Sequence, residues 1–330
     1  MYPLIDILKL HHPEDTEKSA VRAFGGEKLN KIFDELSTSF CQNSRISYAQ
    51  LAKIMNVNKI SIQNWRGFNK KYPKGHPIPL WALDKLLQLT YSKGSEMHNE
   101  IIRNITHLQC GRVSKKIKAV IYLRPELANI CGAHAADGCL YGWKGKGPTT
   151  ARWDIGDLEK SNILAVKKWI DDLFEIELPI LKKGKMSYIW TNMQIISRYL
   201  VLLFDFPIGE KSHIVKEPAI FSGKDARILS EFPEDLRWQL RWEFAKEVIN
   251  FDGHSTIIGG IVSIGLGSES ELLRNNLVEI FAHLGINFHN YQYEKNSKIL
   301  TTAKKEAVKL YSLGIFRGQK REKLKRLLGN

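Results

Sequence analysis

The sequence predicts an α+β fold in which a small all-α unit precedes a tandem repeat. Three observations carry this expectation. Apolar residues recur with the helical period through much of the first hundred positions. From Pro125 onward, helical stretches alternate with extended ones rich in Thr, Ile, Tyr and Trp. Two Asp-Gly pairs, Asp137-Gly138 and Asp252-Gly253, each close a helical segment and open an extended one.

The 330 residues suffice for two or three structural units, and 43% hydrophobic with 25% charged residues is ordinary globular composition. No uncharged apolar run is long enough to span a bilayer, and the N-terminus lacks the basic and apolar regions of a signal peptide. The expected compartment is therefore the cytoplasm. Cys41, Cys110, Cys131 and Cys139 form no CxxC pair and read as small buried hydrophobes. The net charge of +14 favours a polyanionic partner. It is concentrated at the end: residues 295–330 hold eleven Lys/Arg against Glu306 and Glu322.

In the N-terminal unit, residues 1–43 read as helical, with Leu29, Ile32, Phe33 and Leu36 at an amphipathic period. Residues 48–67 then read as a helix-turn-helix. Ser47 caps the first helix and Asn58 the second. Leu51, Ala52, Met55, Val57, Ile62 and Trp65 lock the two together, and Asn56 takes the left-handed turn position. The pattern resembles that of many DNA-binding regulators. The resemblance puts Lys59, Ser61, Gln63, Asn64 and Arg66 on the exposed face of a recognition helix, with Gln and Asn suited to adenine edges and Arg and Lys to guanine or phosphate. Prolines 73, 77 and 79 interrupt the helices that follow, before WALDKLLQL resumes one. The unit spans 1–100, and 101–124 connects it to the rest through a helical IIRNITHLQC and an extended KKIKAVIYL.

The remainder reads as two halves, 125–222 and 223–330. Each has an Asp-Gly pair, a long amphipathic helix (NILAVKKWIDDLFEI, SELLRNNLVEIFAHLGI), another extended stretch and a basic element (FPIGEKS, FRGQKRE). Asp137 to Lys211 is 74 residues and Asp252 to Lys320 is 68. Landmarks in one order at near-equal spacing indicate duplication.

ICGAHAADG and AKEVINFDG resemble the two motifs of the single-chain LAGLIDADG homing endonucleases, over Pro125 to Leu328. The resemblance implies two αββαββα repeats forming a pseudo-twofold saddle, with motif helices packed at the axis and antiparallel sheets straddling duplex DNA. It implies that Asp137 and Asp252 ligate Mg²⁺ or another hard divalent cation, assisted by the main-chain carbonyls of Ala136 and Phe251. It implies that Lys211 and Lys320 lie near the scissile phosphate, and that Gly132, Ala133, Ala136, Gly138 and Gly253 allow close helix packing. Two residues depart from the pattern. Glu247 stands where Gly132 has its counterpart, and Phe251 replaces a small residue. His134 reads as a satisfied interface residue.

Strand residues expected to face DNA are Lys144, Lys146 and Arg152 in the first half, Lys182, Lys183 and Lys185 in a turn, and Thr256, Lys295 and Lys298 in the second. The C-terminal FRGQKREKLKRLL is a basic amphipathic helix with Leu324, Leu327 and Leu328 as its apolar edge. No GxxxxGK[ST], HExxH or GxSxG motif occurs, and no intein splicing residues flank the chain. The leading expectation is a monomeric, site-specific, Mg²⁺-dependent double-strand DNA endonuclease without a small-molecule cofactor. The alternatives are a regulator that keeps the scaffold without cleavage, and an RNA-binding cofactor.

Overall fold

A computed structural model describes residues 1–15, 19–67, 76–91, 94–111, 114–142, 151–223, 225–292 and 297–329. Its first part runs through a 3₁₀ turn (Ile7–Leu10), β1 (Val21–Phe24), α1 (Gly26–Asn43), α2 (Tyr48–Ile54), α3 (Lys59–Trp65), β2 (Ile78–Pro79), α4 (Leu80–Thr90), α5 (Glu96–Asn104), β3 (His107–Cys110) and β4 (Ile117–Lys118). The next part is α6 (Pro125–Asp137), β5 (Gly138–Tyr141), β6 (Arg152–Asp157), α7 (Lys160–Phe174), β7 (Leu181–Lys183), β8 (Met186–Thr191) and α8 (Gln194–Arg198), which passes into a π-helical turn. The last part is α9 (Glu234–Asp252), β9 (His254–Ile258), β10 (Ile261–Gly267), α10 (Glu271–His283), β11 (Phe288–Tyr291), β12 (Lys298–Thr301), α11 (Lys304–Ser312) and α12 (Gly318–Leu328).

The fold is α+β, with two αββαββα repeats and one further helix, α12, at the end. The repeats share one sheet topology. The strand orders are β5-β6-β8-β7 and β9-β10-β12-β11, antiparallel throughout. Each sheet has a covered face. In the first, Leu140, Trp153, Ile155 and Ile189 alternate inward and are buried, while Tyr141, Arg152, Asp154, Tyr188 and Trp190 occupy the other face.

The expectation of an all-α N-terminal unit is corrected. β2-β1-β3-β4 form a third antiparallel sheet, with Val21 opposite Cys110 and Leu108 opposite Ile117. The helical reading of IIRNITHLQC holds only to Asn104. HLQC is strand β3, so the expected connector contributes two strands to this sheet. Lys182 and Lys183, expected in a turn, lie on β7; Gly184 and Lys185 make the turn.

Buried polar contacts tie the N-terminal segment to the repeats. Arg198 and Asp15 form a two-pronged ion pair at 2.5 and 2.9 Å, and Arg198 also donates to the Leu10 and Ser19 carbonyls. Asp6 accepts from His98 at 3.1 Å, both groups fully buried. Leu4 and Ile5 bridge to Tyr122 and Ile228.

The centre of the fold is the crossing of α6 and α9. Residues 127–135 of α6 are buried without interruption, the mark of a helix enclosed on every side. The His134 ring accepts from the Trp153 indole N–H at 3.1 Å through Nδ1 and packs edge-on against Phe206, but its Nε2 is buried without a hydrogen-bond partner among the described residues, so the expectation of a satisfied histidine holds for one nitrogen only. At the crossing a Cβ on Gly132 would lie 2.3 Å from the Phe244 carbonyl oxygen and 2.9 Å from Glu247 Cβ. The backbones are therefore closer than any side chain permits.

Gly132→Ala should destabilise the protein by about 2–4 kcal/mol, because rigid backbone must move to admit the methyl group. Gly267→Ala, where nothing lies within 4 Å of the added Cβ, should cost under about 0.5 kcal/mol. Urea denaturation of the two variants checks this.

Candidate nuclease site at the helix dyad

The close crossing sets α6 and α9 in matched register. Each ends on its motif aspartate, followed by a glycine from which a strand departs. Both glycines have ordinary φ values; their role is steric. A Cβ on Gly138 would lie 2.2 Å from His134 Nδ1, and one on Gly253 2.2 Å from the Ile249 carbonyl oxygen.

The Asp137 and Asp252 carboxylates lie close enough across the axis for the charge of Asp252 to act on Asp137. Burial pushes both up from the usual carboxylate range, and for Asp137 the charge of Asp252 adds to the rise. Both also lie at helix C-termini, where the unpaired carbonyls and the macrodipole are negative. Such a focus of negative charge requires cations.

The chain supplies two, one from each repeat. Lys211 Nζ donates to the carbonyls of His134, Ala135 (3.0 Å) and Ala136 (2.9 Å), capping α6. Lys320 Nζ donates to those of Asn250 (3.0 Å) and Phe251, capping α9. Burial lowers the Lys211 ammonium to about 8, opposed by the charges of Asp252 and Asp137. The two lysines named by the resemblance thus cap the C-termini of α6 and α9 in the same way.

Two clefts flank the aspartate pair. One, of about 580 Å³, is lined by Lys211, Ala136, Cys139, Asp252, His254 and Lys298. The other, of about 490 Å³, is lined by Lys320, Phe251, Asp137, Asp252, Asp157 and Gln319. Each cleft combines a lysine of one repeat with sheet residues of the other.

The donor set fits a hard divalent cation. Two carboxylates brought together at the helix ends gain from an intervening positive charge, and the adjoining main-chain carbonyls of Ala136 and Phe251 are hard oxygen donors, with Cys139 and His254 in one of the clefts. Among the described residues no group of three or more His, Cys, Asp and Glu forms a cage. The Ala136 and Phe251 carbonyls already accept from lysine; a carbonyl has two lone pairs, so a second contact is compatible.

Glu247 is fully buried at the crossing and is neutralised there. Arg317, which precedes α12, donates to both its oxygens at 2.5 and 2.6 Å. Asn250 Nδ2 donates to Glu247 (3.1 Å) and to Asn162 Oδ1 (3.0 Å), and Asn162 donates to Asp157 (2.6 Å). The Arg317 main-chain N–H donates to Asn250 Oδ1. This network holds the start of α12, and with it Lys320, against the end of α9. Sequence reasoning missed Arg317, Asn162, Asn250 and Asp157. The available signal was Asn162 among the apolar positions of the amphipathic α7 and Asn250 between Ile249 and Phe251 in α9.

Arg152 and Lys183 share the outer face of the first sheet, and Thr256 and Lys298 that of the second. Lys182 and Lys185 are exposed at the β7–β8 edge. Lys144, Lys146 and Lys295 lie outside the described residues. Cys41, Cys110 and Cys131 are buried as expected; Cys139 is half-exposed beside Lys211.

Helices α2 and α3 have the expected local form. Ser47 and Gln50 make a reciprocal capping box, Asn58 caps α3, and Asn56 has φ +57°. Lys59 and Gln63 are exposed, and Ser61 and Asn64 half-buried. Arg66 is a correction: it turns inward to pair with Asp34 and lies over the Tyr48 ring at 3.9 Å. Ile60, 60% exposed, lies on the outer face instead.

Comparison with protein families and with curated protein sequences finds no match. Among solved structures, the chain is similar to I-DmoI in complex with DNA and Ca, at 13% identity and TM-score 0.41, over 61% of this chain and 97% of that one. It is similar to LAGLIDADG meganuclease I-AabMI bound to uncleaved DNA, at 10% identity and TM-score 0.40, over 63% and 90%. It is also similar to the N-terminal LAGLIDADG domain of DUF199/WhiA, at 12% identity and TM-score 0.36, over 62% and 86%.

Arg317→Ala strips the buried Glu247 of its countercharge and should destabilise the fold by about 3–5 kcal/mol. Glu247→Leu/Arg317→Ala should recover most of that loss, because no charge is then left buried. Equilibrium denaturation of both variants checks the difference.

Proposed function

We propose that this chain is a site-specific double-strand DNA endonuclease of the homing type. The observation that carries the reading is the convergence of one aspartate from each repeat at the helix dyad, with a lysine from each repeat on either side. Asp137 and Asp252 would hold Mg²⁺ or a similar hard cation, which when bound supplies Lewis-acid stabilisation of charge on the phosphodiester. Lys211 and Lys320 place ammonium groups where charge builds on the phosphoryl oxygens. The two clefts give each DNA strand its own lysine, so two hydrolytic cuts come from one chain acting as a monomer. The outer sheet faces, with Arg152, Lys183, Thr256 and Lys298, position the duplex, together with Lys182, Lys185, Lys144, Lys146 and Lys295. Lys59, Ser61, Gln63 and Asn64 of α3 extend the site read. No helix among the described residues is long and apolar enough to cross a membrane.

One observation favours the alternative, a DNA-binding regulator on the same scaffold. The capped α2–α3 pair adds a second DNA-reading element that cleavage itself does not require.

Incubation of a large pooled duplex library with purified protein separates the two. The endonuclease reading expects sequence-focused breaks with Mg²⁺ and none with chelator. Asp137→Asn and Asp252→Asn should each lower cleavage by at least about 10³-fold, as loss of a principal electrostatic element does, and should retain binding. Bound, enriched but intact DNA would establish the regulator.

A further inference from the structure

The β5–β6 and β9–β10 connections differ in sequence. The β5–β6 connection of the first repeat carries Lys144 and Lys146 in its sequence. In the second, β9 and β10 are joined only by Gly259-Gly260, and Ile258 faces Ile261 as the last strand pair. Both glycines have positive φ, +55° and +79°. A tight type I′ turn requires this, so the tip is short and its register fixed.

Around that turn Ile257, Ile258 and Ile261 are 54%, 47% and 41% exposed. Ile258 and Ile261 lie on the outer sheet face, in phase with His254, Thr256 and Lys298. The positive charges of Lys298, Lys320 and Lys323 act on His254 at the inner end of the same strand. One strand pair therefore runs from a cationic inner end to an aliphatic tip. A phosphate-lined groove with an apolar group on its floor complements both ends. In the major groove that apolar group is the thymine 5-methyl, which no other base of unmodified DNA carries.

We propose that Ile258 and Ile261 read thymine methyl groups at the outer end of the second half-site. The inference rests on the DNA-binding reading above.

A duplex selected from a randomised library, in chelator, provides the test. It is remade with uracil in place of thymine, which keeps pairing and removes the methyl group. The wild-type protein should bind the thymine form about fourfold more tightly for each methyl contacted. Ile258→Ser/Ile261→Ser should bind both forms equally, with an unchanged circular dichroism spectrum. Ile257→Ser, on the opposite face of β9, should keep the preference. Equal affinity of the wild-type protein for both forms, or a preference retained by the double variant, overturns the proposal. Failure to select any duplex instead overturns the DNA-binding reading on which it rests.

Discussion

The crossing of α6 and α9 determines where every other functional group lies. It brings two helix backbones closer than side chains allow, and only Gly132 makes that approach possible. The consequence appears about one and a half turns further on, where both helices end together and their last residues, Asp137 and Asp252, come side by side. Neither carboxylate would be held against the other without the packing energy of an enclosed helix pair. The sheets then follow from the helix ends, since Gly138 and Gly253 turn the chain directly into β5 and β9.

Electrostatics dictates the rest of the centre. Two carboxylates and two helix C-termini concentrate negative charge in one place, and the chain answers with an ammonium group at each helix end. The repeats reach this in different ways. The first buries a neutral histidine bonded to Trp153 under its motif. The second buries a charge, Glu247, and balances it with Arg317. The Arg317 pair also fixes the segment that carries Lys320, so the departure in the second motif is tied to the placement of its lysine.

The sequence made the site legible where information was local or duplicated. Ser47, Gln50, Asn56 and Asn58 act on backbone within three residues, and the capped helices follow from them. Lys211 and Lys320 were found because the same landmark order occurs twice. Long-range partners were illegible. Strand β1 pairs with β3 across more than eighty residues, and strands of two to four residues leave little periodicity to read. Arg66 is drawn from the outer face of α3 by Asp34, on another helix. Glu247 acquires its meaning from Arg317, seventy residues on. A buried charge declares nothing about its partner until the chain is folded.

The central claim is that each repeat serves one DNA strand through its own lysine, about a shared aspartate pair. Strand-resolved cleavage of an end-labelled target by Lys211→Met and Lys320→Met tests it most directly. Selective loss of the cut on one strand, a different strand for each variant, is the predicted result. Equal loss on both strands in either variant would contradict it.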